Sequence, residues 1–202
     1  MKAALICLCA LVTTLSTVCA QTFEGGLSLG VAATQVDGDG HGGFDKAGPI
    51  AGIWVERVTS TKLYLRSEIR YIQKGSYAKN EIDGITTNFY RLRLHYVEVP
   101  LLVGYRFRNG ASPFIGLSGG YLAKVKEENE VGEFPAEDTR QFRKAEFAFL
   151  AGFDYQYNNR WIFGAVFSYS ILPIRPHTGN ISYRLNQGQY NQALELIVRY
   201  KL

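Results

Sequence analysis

Hydrophobic and polar side chains alternate along most of the chain after Gln21, with the period of two that β-strands show when their faces meet different surroundings. No convincing amphipathic helix interrupts this pattern. Each alternating segment is long enough for the roughly 9–11 residues with which a tilted strand crosses a bilayer. The pattern predicts eight strands, at 22–36, 47–57, 62–74, 91–107, 113–124, 145–157, 160–171 and 190–202.

The third segment shows the alternation most clearly. Its apolar face carries Leu63, Leu65, Ile69 and Tyr71, and its polar face carries Tyr64, Arg66, Glu68, Arg70 and Lys74. The last segment repeats this arrangement, with Leu196 and Val198 on one face and Arg199 on the other. In a water-soluble barrel the apolar face lines the interior, whereas in a membrane barrel it contacts lipid. Alternation alone leaves both possibilities open.

The connections between the segments differ in length in a regular order. Short connections alternate with long ones: the short ones lie near 58–61, 108–112 and 158–159, and the long ones near 37–46, 75–90, 125–144 and 172–189. Bacterial outer-membrane barrels have this asymmetry, with short periplasmic turns and long external loops. The connection lengths therefore favour a membrane barrel over a soluble one.

Aromatic residues collect where the segments meet their connections. Those near the short connections are Phe107, Tyr155, Tyr157, Trp161 and Tyr200, and those near the long connections are Tyr71, Tyr121, Phe147 and Tyr169. Rings with an apolar body and a polar edge favour both bilayer interfaces, and core packing is the alternative explanation. The two groups predict two aromatic belts.

The fourth segment contains an irregularity. The apolar residues Leu92 and Leu94 occupy even positions, whereas those from Val97 onward occupy odd positions. The face that points outward is therefore expected to change from even to odd positions near His95 or Tyr96, through a β-bulge. Pro100 is predicted to face inward, and because proline removes a ladder hydrogen bond, a second local distortion is expected there.

The opposite faces of the segments are predicted to point charged side chains into the lumen. An eight-stranded barrel is barely wide enough for its own side chains, so small residues such as Gly116, Ser118, Gly152 and Gly164 make room for arginines. An unpaired charge there would cost several kcal/mol, so a mutually paired, structural network is expected. A gated ion path is the alternative. The predicted lumen charges are Arg66, Glu68, Arg70, Arg93, Glu98, Arg106, Asp154, Glu195 and Arg199.

The start of the chain has the pattern of a secretory signal peptide. Lys2 supplies a positive charge, and an almost unbroken apolar stretch leads to a small-residue cleavage site at Ala20. The expected boundaries are a signal peptide at 1–20 and an outer-membrane barrel domain at 21–202. Lipidation of the last cysteine is the alternative. The exported chain would have no thiol, because all cysteines lie in this segment: Cys7, Cys9 and Cys19.

Candidate catalytic and metal-binding residues are few. The histidines are His41, His95 and His177, and Ser182 follows the last of them, but no short spacing joins a nucleophile, a base and an acid. The run Asp-Gly-Asp-Gly-His-Gly at 37–42 resembles the start of a calcium loop, yet it lacks the glutamate needed at the twelfth position. The sequence therefore predicts no catalytic, cofactor or metal site.

One stretch resembles a known family. Residues 96–102 read Tyr-Val-Glu-Val-Pro-Leu-Leu and are similar to the Tyr-x-Glu-x-Pro-Leu-Leu motif of the PorT-type outer-membrane β-barrel family. The first fixed positions of this motif are Tyr96, Glu98 and Pro100. The resemblance implies an eight-stranded barrel of the OmpA and OmpX build, in a family whose namesake assists a protein secretion pathway. The chain ends in Leu202, whereas such barrels often end in an aromatic residue that the insertion machinery reads.

Together these features predict an all-β fold, a closed eight-stranded antiparallel up-and-down transmembrane barrel in the bacterial outer membrane. The expected partners are outer-membrane lipid and lipopolysaccharide, the barrel-insertion machinery, and an envelope or secretion protein. A formal net charge of +4 is too balanced to indicate a nucleic-acid partner. The first functional hypothesis is a non-enzymatic structural or interaction scaffold whose four long external loops serve adhesion, protection or partner binding. The alternatives are an accessory subunit of a secretion apparatus, a lipid-modifying enzyme and a small ion-conducting pore.

Overall fold

The computed structural model describes residues 23–40, 42–59, 62–82, 85–129, 132–133, 141–176 and 188–202. Within these ranges every regular element is a β-strand, and no helix is long and apolar enough to span a membrane. The strands are β1 (Phe23–Asp37), β2 (Lys46–Val58), β3 (Leu63–Ile82), β4 (Ile85–Tyr105), β5 (Ala111–Asn129), β6 (Gly132–Glu133), β7 (Ala145–Gln156), β8 (Trp161–Ser170) and β9 (Tyr190–Lys201).

Eight of these strands close into a ring in which each pairs antiparallel with the next along the chain. β1 pairs with β9, in a register that places Leu29 opposite Val198, and this pairing closes the sheet. β6 has two residues and pairs only with the end of β5, while β5 pairs directly with β7. The predicted eight-stranded up-and-down barrel is confirmed.

The barrel places its apolar side chains outside and its charges inside. On β3, Leu65 is 54% exposed and the adjacent Arg66 is 1% exposed; on β9, Leu196 is 63% exposed and Arg199 is fully buried. A water-soluble barrel would show the reverse, because burial of apolar side chains is what stabilises it. The outer surface is therefore built to contact lipid.

Aromatic side chains lie at both edges of this apolar surface. At the edge with the short turns, Phe107 is exposed and the rings of Trp161 and Tyr200 are 4.9 Å apart. At the opposite edge, Tyr121 and Phe147 are exposed. Rings in these positions match the two interfaces of a bilayer, as the sequence predicts.

Short turns join the strands at the first of these edges. Lys62 adopts a left-handed conformation (φ 67°) between β2 and β3, and Gly110 does so (φ 84°) between β4 and β5. Between β7 and β8, the side-chain oxygen of Asn158 accepts hydrogen bonds from the backbone N–H groups of Arg160 and Trp161. These local features keep the turns tight. Because consecutive strands run in opposite directions, the longer connections lie at the other end of the barrel.

Three neighbouring strands extend well beyond the apolar surface at the long-loop end. β3, β4 and β5 have 20, 21 and 19 residues, against 10 in β8 and 12 in β9. The prediction of a long loop at 75–90 is wrong, because β3 and β4 continue as a paired hairpin as far as Ile82 and Ile85. In the region predicted as a loop at 125–144, β5 likewise continues as far as Asn129. The apolar pattern stops at the membrane edge, while the backbone pairing continues past it.

Even positions of β4 face the interior on both sides of the membrane edge, so the predicted change of the outward face in this strand is wrong. Leu92 and Leu94 are fully buried inside the barrel. Both residues lie beyond the lipid-facing surface. There the outer surface of the barrel contacts headgroups and water, so an apolar side chain is more stable in the barrel interior. The bulge predicted near His95 exists, but its extra residue, Ala123, lies on the partner strand β5.

Pro100 faces the interior, as predicted, and lies where one ladder is interrupted. Pairing between β3 and β4 stops at Leu101 and resumes at Glu98 in the same register. A proline has no N–H to donate to the neighbouring strand, which accounts for the interruption. The distortion is a local gap in the ladder and not a second bulge.

A charged residue in the middle of the lipid-facing surface should destabilise the barrel more than the same residue at its rim. Leu101 lies halfway along the outward apolar face of β4, so Leu101→Arg is expected to lower the free energy of unfolding by about 2–4 kcal/mol. Phe107→Arg, at the short-turn rim, is the matched control and should cost about 1 kcal/mol or less. Denaturant titration in phospholipid vesicles measures both losses, and equal losses would contradict this membrane position.

Candidate functional site

Glycines on the inner face leave space for large side chains from other strands. A Cβ atom on Gly104 would lie 2.4 Å from the ring of Tyr64. A Cβ atom on Gly164 would lie 2.4 Å from a carboxylate oxygen of Asp154 and 2.7 Å from the guanidinium of Arg199. Any larger residue would displace these side chains, so the absence of a side chain at these positions is what lets the interior fill with rings and arginines.

The first group of buried charges lies toward the short-turn end of the lumen. Arg66 on β3 donates to Glu56 on β2 (Nη2 to Oε2, 2.7 Å) and to Asp154 on β7. The other oxygen of Asp154 accepts from Arg199 Nη1 at 2.9 Å, and Arg199 Nε donates to Glu68 Oε1 at 2.8 Å. The chain of ion pairs therefore crosses the lumen from β3 to β7 and returns from β9 to β3.

Two aromatic rings complete the surroundings of Arg66. Its guanidinium carbon lies 5.0 Å from the ring centroid of Tyr64 and 5.5 Å from that of Trp54. The Trp54 indole N–H in turn donates to the backbone carbonyl of Leu27, 3.2 Å away. Cation–π contacts in a desolvated site are favourable by up to about 2 kcal/mol, so the rings add to the ion pairs in holding this guanidinium.

The second group of buried charges lies further toward the long-loop end. Arg70 donates to Glu98 at 2.9 Å and to Glu195 at 2.6 Å. Lys74 Nζ donates to Glu146 Oε1 at 2.9 Å and forms an ion pair with Glu98 Oε1, 2.6 Å away. Glu98 thus joins two cations, which offsets the cost of burying all three groups away from water.

The two groups are together called the lumen network. Its four cations each contact two carboxylates, so none of them is buried without compensation. Arg199 and Glu68 are joined by a single hydrogen bond, from Nε to Oε1. The other Glu68 oxygen, Oε2, and Arg199 Nη2 have no hydrogen-bond partner among the described residues. The members, all at most 2% exposed, are Glu56, Arg66, Glu68, Arg70, Lys74, Glu98, Glu146, Asp154, Glu195 and Arg199.

Seven of the nine predicted lumen charges belong to this network, and two do not. Arg106 lies at the short-turn rim, where it contacts Glu56 of the network and approaches Glu24 at 3.9 Å. The prediction that Arg93 faces the lumen is wrong, because it points outside and contacts Glu128. Arg93 occupies an odd position of β4, and odd positions of this strand face outward along its described length.

The predicted lumen charges omit three members of the network, namely Glu56, Lys74 and Glu146, although the alternation already places Lys74 on the polar face of its segment. The signal that could have found them is position in the alternation. Glu56 shares the inner face of β2 with Trp54, Lys74 follows Arg70 on β3, and Glu146 precedes buried residues on β7. Counting every charge of the correct parity would have identified the network from the segments alone.

All three residues of the sequence motif face the lumen. Glu98 is shared by Arg70 and Lys74, as described above. The ring centroid of Tyr96 lies 5.4 Å from the Lys74 ammonium, and its hydroxyl accepts a hydrogen bond from Asn191 at 3.3 Å. Pro100 is buried next to them. The motif therefore contributes to the interior of this barrel and not to its surface.

An apolar layer and a further polar cluster fill the lumen toward the long-loop end. The apolar layer includes Val36, Ile72, Leu92, Leu94, Leu122 and Ile174. Beyond it, Arg175 donates from both terminal nitrogens to Glu127, each at 3.0 Å, and to the Tyr90 hydroxyl at 3.2 Å. The Phe142 ring lies 4.4 Å from the same guanidinium, and Gln189 also accepts a hydrogen bond from it. These contacts fix Arg175, at the start of the connection between β8 and β9, to Glu127 on β5 at the long-loop end of the lumen.

Among the candidate catalytic residues, the structure describes His95, which faces outside with its Nδ1 atom 2.8 Å from the hydroxyl of Tyr71. His41, His177 and Ser182 lie outside the described residues. Within the part of the chain that is described, no three His, Cys, Asp or Glu residues are grouped so that they could hold a metal ion.

The sequence profile of the family described as outer membrane protein beta-barrel domain matches residues 19–175. The chain belongs to this family. Family membership agrees with the outward apolar surface, and together they identify a barrel of the bacterial outer membrane. The signal peptide at 1–20 lies outside the described residues and stays a prediction. No curated protein matches the chain.

Solved structures of outer-membrane barrels resemble this member of the family. Neisserial surface protein A (NspA) is 14% identical, and the match covers 89% of this chain and 97% of that chain with a TM-score of 0.54. Ail of Yersinia pestis, solved in complex with the heparin analogue sucrose octasulfate, is 14% identical over 89% and 99% of the two chains with a TM-score of 0.49. OprG of Pseudomonas aeruginosa is 13% identical over 89% and 94%, with a TM-score of 0.38. The similarity to NspA supports the fold.

Removal of a shared carboxylate should destabilise this barrel strongly. Asp154→Ala leaves Arg66 and Arg199 with one carboxylate contact each, and we expect the free energy of unfolding to fall by about 3–5 kcal/mol. The control is Glu24→Ala, whose carboxylate pairs with Lys201 at the half-exposed rim and should contribute about 1 kcal/mol or less. The same titration in vesicles measures both variants. A loss for Asp154→Ala no larger than that of the control would contradict a stabilising network.

Proposed function

We propose that the protein is a sealed, non-enzymatic barrel that anchors an interaction scaffold in the outer membrane. The short turns would face the periplasm, and the long connections and extended strands would face the cell exterior. The observation that carries this proposal is the lumen network, which fills the membrane-spanning interior with paired charges. A barrel filled in this way serves as an anchor, and its activity then belongs to what it displays outside.

Three successive groups of side chains fill the lumen and support a closed barrel. The lumen network occupies the membrane-spanning part, the apolar layer follows it, and the cluster around Arg175 and Glu127 lies toward the long-loop opening. Conduction needs a continuous polar path with sites that ions enter and leave readily. An apolar layer between two paired clusters opposes such a path, so we propose a scaffold and not a pore.

The extended hairpin supports an interaction role. Beyond Tyr71, near the edge of the lipid-facing surface, β3 continues to Ile82, about 35 Å of strand at roughly 3.3 Å per residue. β4 pairs with it along this extension, and β5 joins as far as Asn129. A three-stranded sheet raised above the membrane is large enough for a partner to bind, and its defined backbone lowers the ordering cost of binding compared with a disordered loop.

A role as an accessory subunit of a secretion apparatus rests on the resemblance to the PorT motif. The residues of that motif face the lumen, so a partner protein would have to recognise other parts of the surface. A larger complex that survives extraction in mild detergent would favour this alternative over an independent scaffold. PorT-type membership itself stays a prediction.

The folded protein should not conduct ions. Purified barrel inserted into a planar lipid bilayer is expected to give no steady current above the bare membrane at moderate voltage, because paired charges and an apolar layer fill the lumen. A shift in gel mobility between unheated and boiled samples checks that the inserted protein is folded. A reproducible ohmic current from folded protein would favour the ion path over the sealed scaffold.

Adhesion is one role that an external scaffold would serve. Shortening the extended hairpin should then abolish attachment of cells to a surface without unfolding the anchor. Ala78 and Tyr90 are paired across β3 and β4, so an Asn-Gly turn can replace residues 79–89 between them. Cells that express the wild-type barrel are expected to adhere to a surface coated with a partner protein, and cells that express the shortened variant should adhere no better than cells without the barrel. Arg108→Ala, in a short turn at the opposite rim, is the control and should leave attachment unchanged. Full attachment by the shortened but heat-modifiable barrel would contradict the proposed role.

A further inference from the structure

Basic side chains lie on the outside of the barrel directly beyond the lipid-facing surface at the long-loop end. On β4, Val97 is exposed among the apolar outward residues, and the next outward positions carry His95, Arg93 and Arg91. On β5, Lys124 lies directly opposite His95. At roughly 3.3 Å per residue, these side chains begin about 7 Å along the strand from the apolar edge. This is the level at which lipid headgroups meet the hydrocarbon.

Among the residues that the structure describes in this region, positive charges outnumber negative ones. The basic patch is defined by Lys46, Arg91, Arg93, Lys124 and Lys126, and the acidic residues beside it are Asp45 and Glu128. Glu128 contacts Arg93 and lies 4.0 Å from Arg91, so one carboxylate is shared by two guanidinium groups. Counted over the described residues, the patch therefore has a net positive charge on a surface that faces the headgroups.

Two details indicate that this positive charge is not fully compensated. The Nε–H group of Arg93 is buried and has no hydrogen-bond acceptor among the described residues. Burial lowers the pKa of Lys46 to about 8, with further lowering by the positive charges of Arg93 and Arg91. A neighbouring anion would oppose both effects, because it accepts from the free donor and favours the charged ammonium.

A hollow of about 310 Å³ lies beside three cations of the patch, and its lining is Asp45, Lys46, Ala47, Gln73, Tyr77, Arg91 and Arg93. The Lys46 ammonium is oriented by a hydrogen bond to the side-chain oxygen of Gln73 at 2.9 Å. Arg91 is held with its guanidinium 5.2 Å from the ring centroid of Tyr77. Lys46, Arg91 and Arg93 therefore line one cavity from positions on paired strands, and they are not scattered along a loop.

The path of Lys46 to this hollow depends on a glycine. A Cβ atom on Gly75 would lie 3.2 Å from Cδ of Lys46 and 2.0 Å from the carbonyl oxygen of Leu92. Gly75 also has a φ of 139°, which favours glycine. The missing side chain lets the lysine pass close to β3 and reach Gln73.

We propose that the basic patch binds the phosphate headgroup of an anionic lipid in the leaflet at the long-loop end. Guanidinium groups bind phosphate through two parallel hydrogen bonds, and Arg91 and Arg93 line one wall of the hollow. The patch continues from the lipid-facing surface, where Tyr121 is exposed beneath it for contact with the acyl chains. This continuity identifies a lipid, and not a soluble phosphate compound, as the ligand.

The test compares two lipids that differ only in phosphate. Full-length folded barrel in a neutral detergent is titrated with lipid A and with enzymatically dephosphorylated lipid A, and native mass spectrometry measures the bound fraction. The wild type is expected to bind the phosphorylated lipid at least about tenfold more tightly, since charge-assisted hydrogen bonds are the strong ones. Equal affinity for the two lipids would overturn the proposal.

Matched variants locate the site. Arg91→Gln with Arg93→Gln should remove the preference for phosphate, whereas Arg57→Gln with Arg108→Gln removes the same charge from exposed positions at the opposite rim and should preserve it. The heat-dependent gel shift shows that each variant is folded. An unchanged preference in the first variant would overturn the assignment to this patch. Inorganic phosphate that competes as strongly as lipid A would show a free-phosphate site and overturn the lipid assignment.

Discussion

The structure depends on ion pairs that form only when the barrel is closed. Arg66 on β3 binds Asp154 on β7, and Arg70 on β3 binds Glu195 on β9. These strands are not neighbours in the sheet, so each pair spans the lumen. Because a buried charge that loses its partner costs several kcal/mol, an open or misregistered sheet of the same sequence would carry that cost. The network therefore opposes alternative pairings as well as stabilising the closed ring.

The two faces of the barrel exchange their chemistry at the long-loop edge of the membrane. On β4, Glu98 is inside and Val97 outside, whereas a few residues further out Leu94 is inside and Arg93 outside. The alternation of the backbone does not change across this boundary, but the surroundings of the outer face change from hydrocarbon to headgroups and water. The same physical rule, that each side chain takes the face whose surroundings suit it, places Val97 outside within the membrane and Leu94 inside beyond its edge.

The strands and most of their faces were predictable, because a period of two follows directly from the geometry of an extended chain. The errors arose where the meaning of the pattern depends on the surroundings, as at Leu92 and Arg93, which lie above the membrane edge and were assigned by the rule that holds within it. The pairing of Lys74 with Glu146 was not predictable either, since it depends on which strands face each other across a lumen. Local patterns likewise do not reveal which of two paired strands carries a bulge, and Ala123 on β5 is an example.

The extended sheet begins on strands that the lumen network already fixes. β3 contributes Arg66, Glu68, Arg70 and Lys74 to the network, and β4 contributes Glu98, so the segments beyond the membrane continue from a rigid base. Arg175 then connects the last long connection to β5 through Glu127. A basic surface built on such strands keeps a constant height above the hydrocarbon. On a loose loop the same cations would bind more weakly, because ordering each side chain on binding costs about 0.5–1.5 kcal/mol of binding free energy. Charge pairing within the membrane thereby determines how accurately the outer surface is positioned at the headgroups.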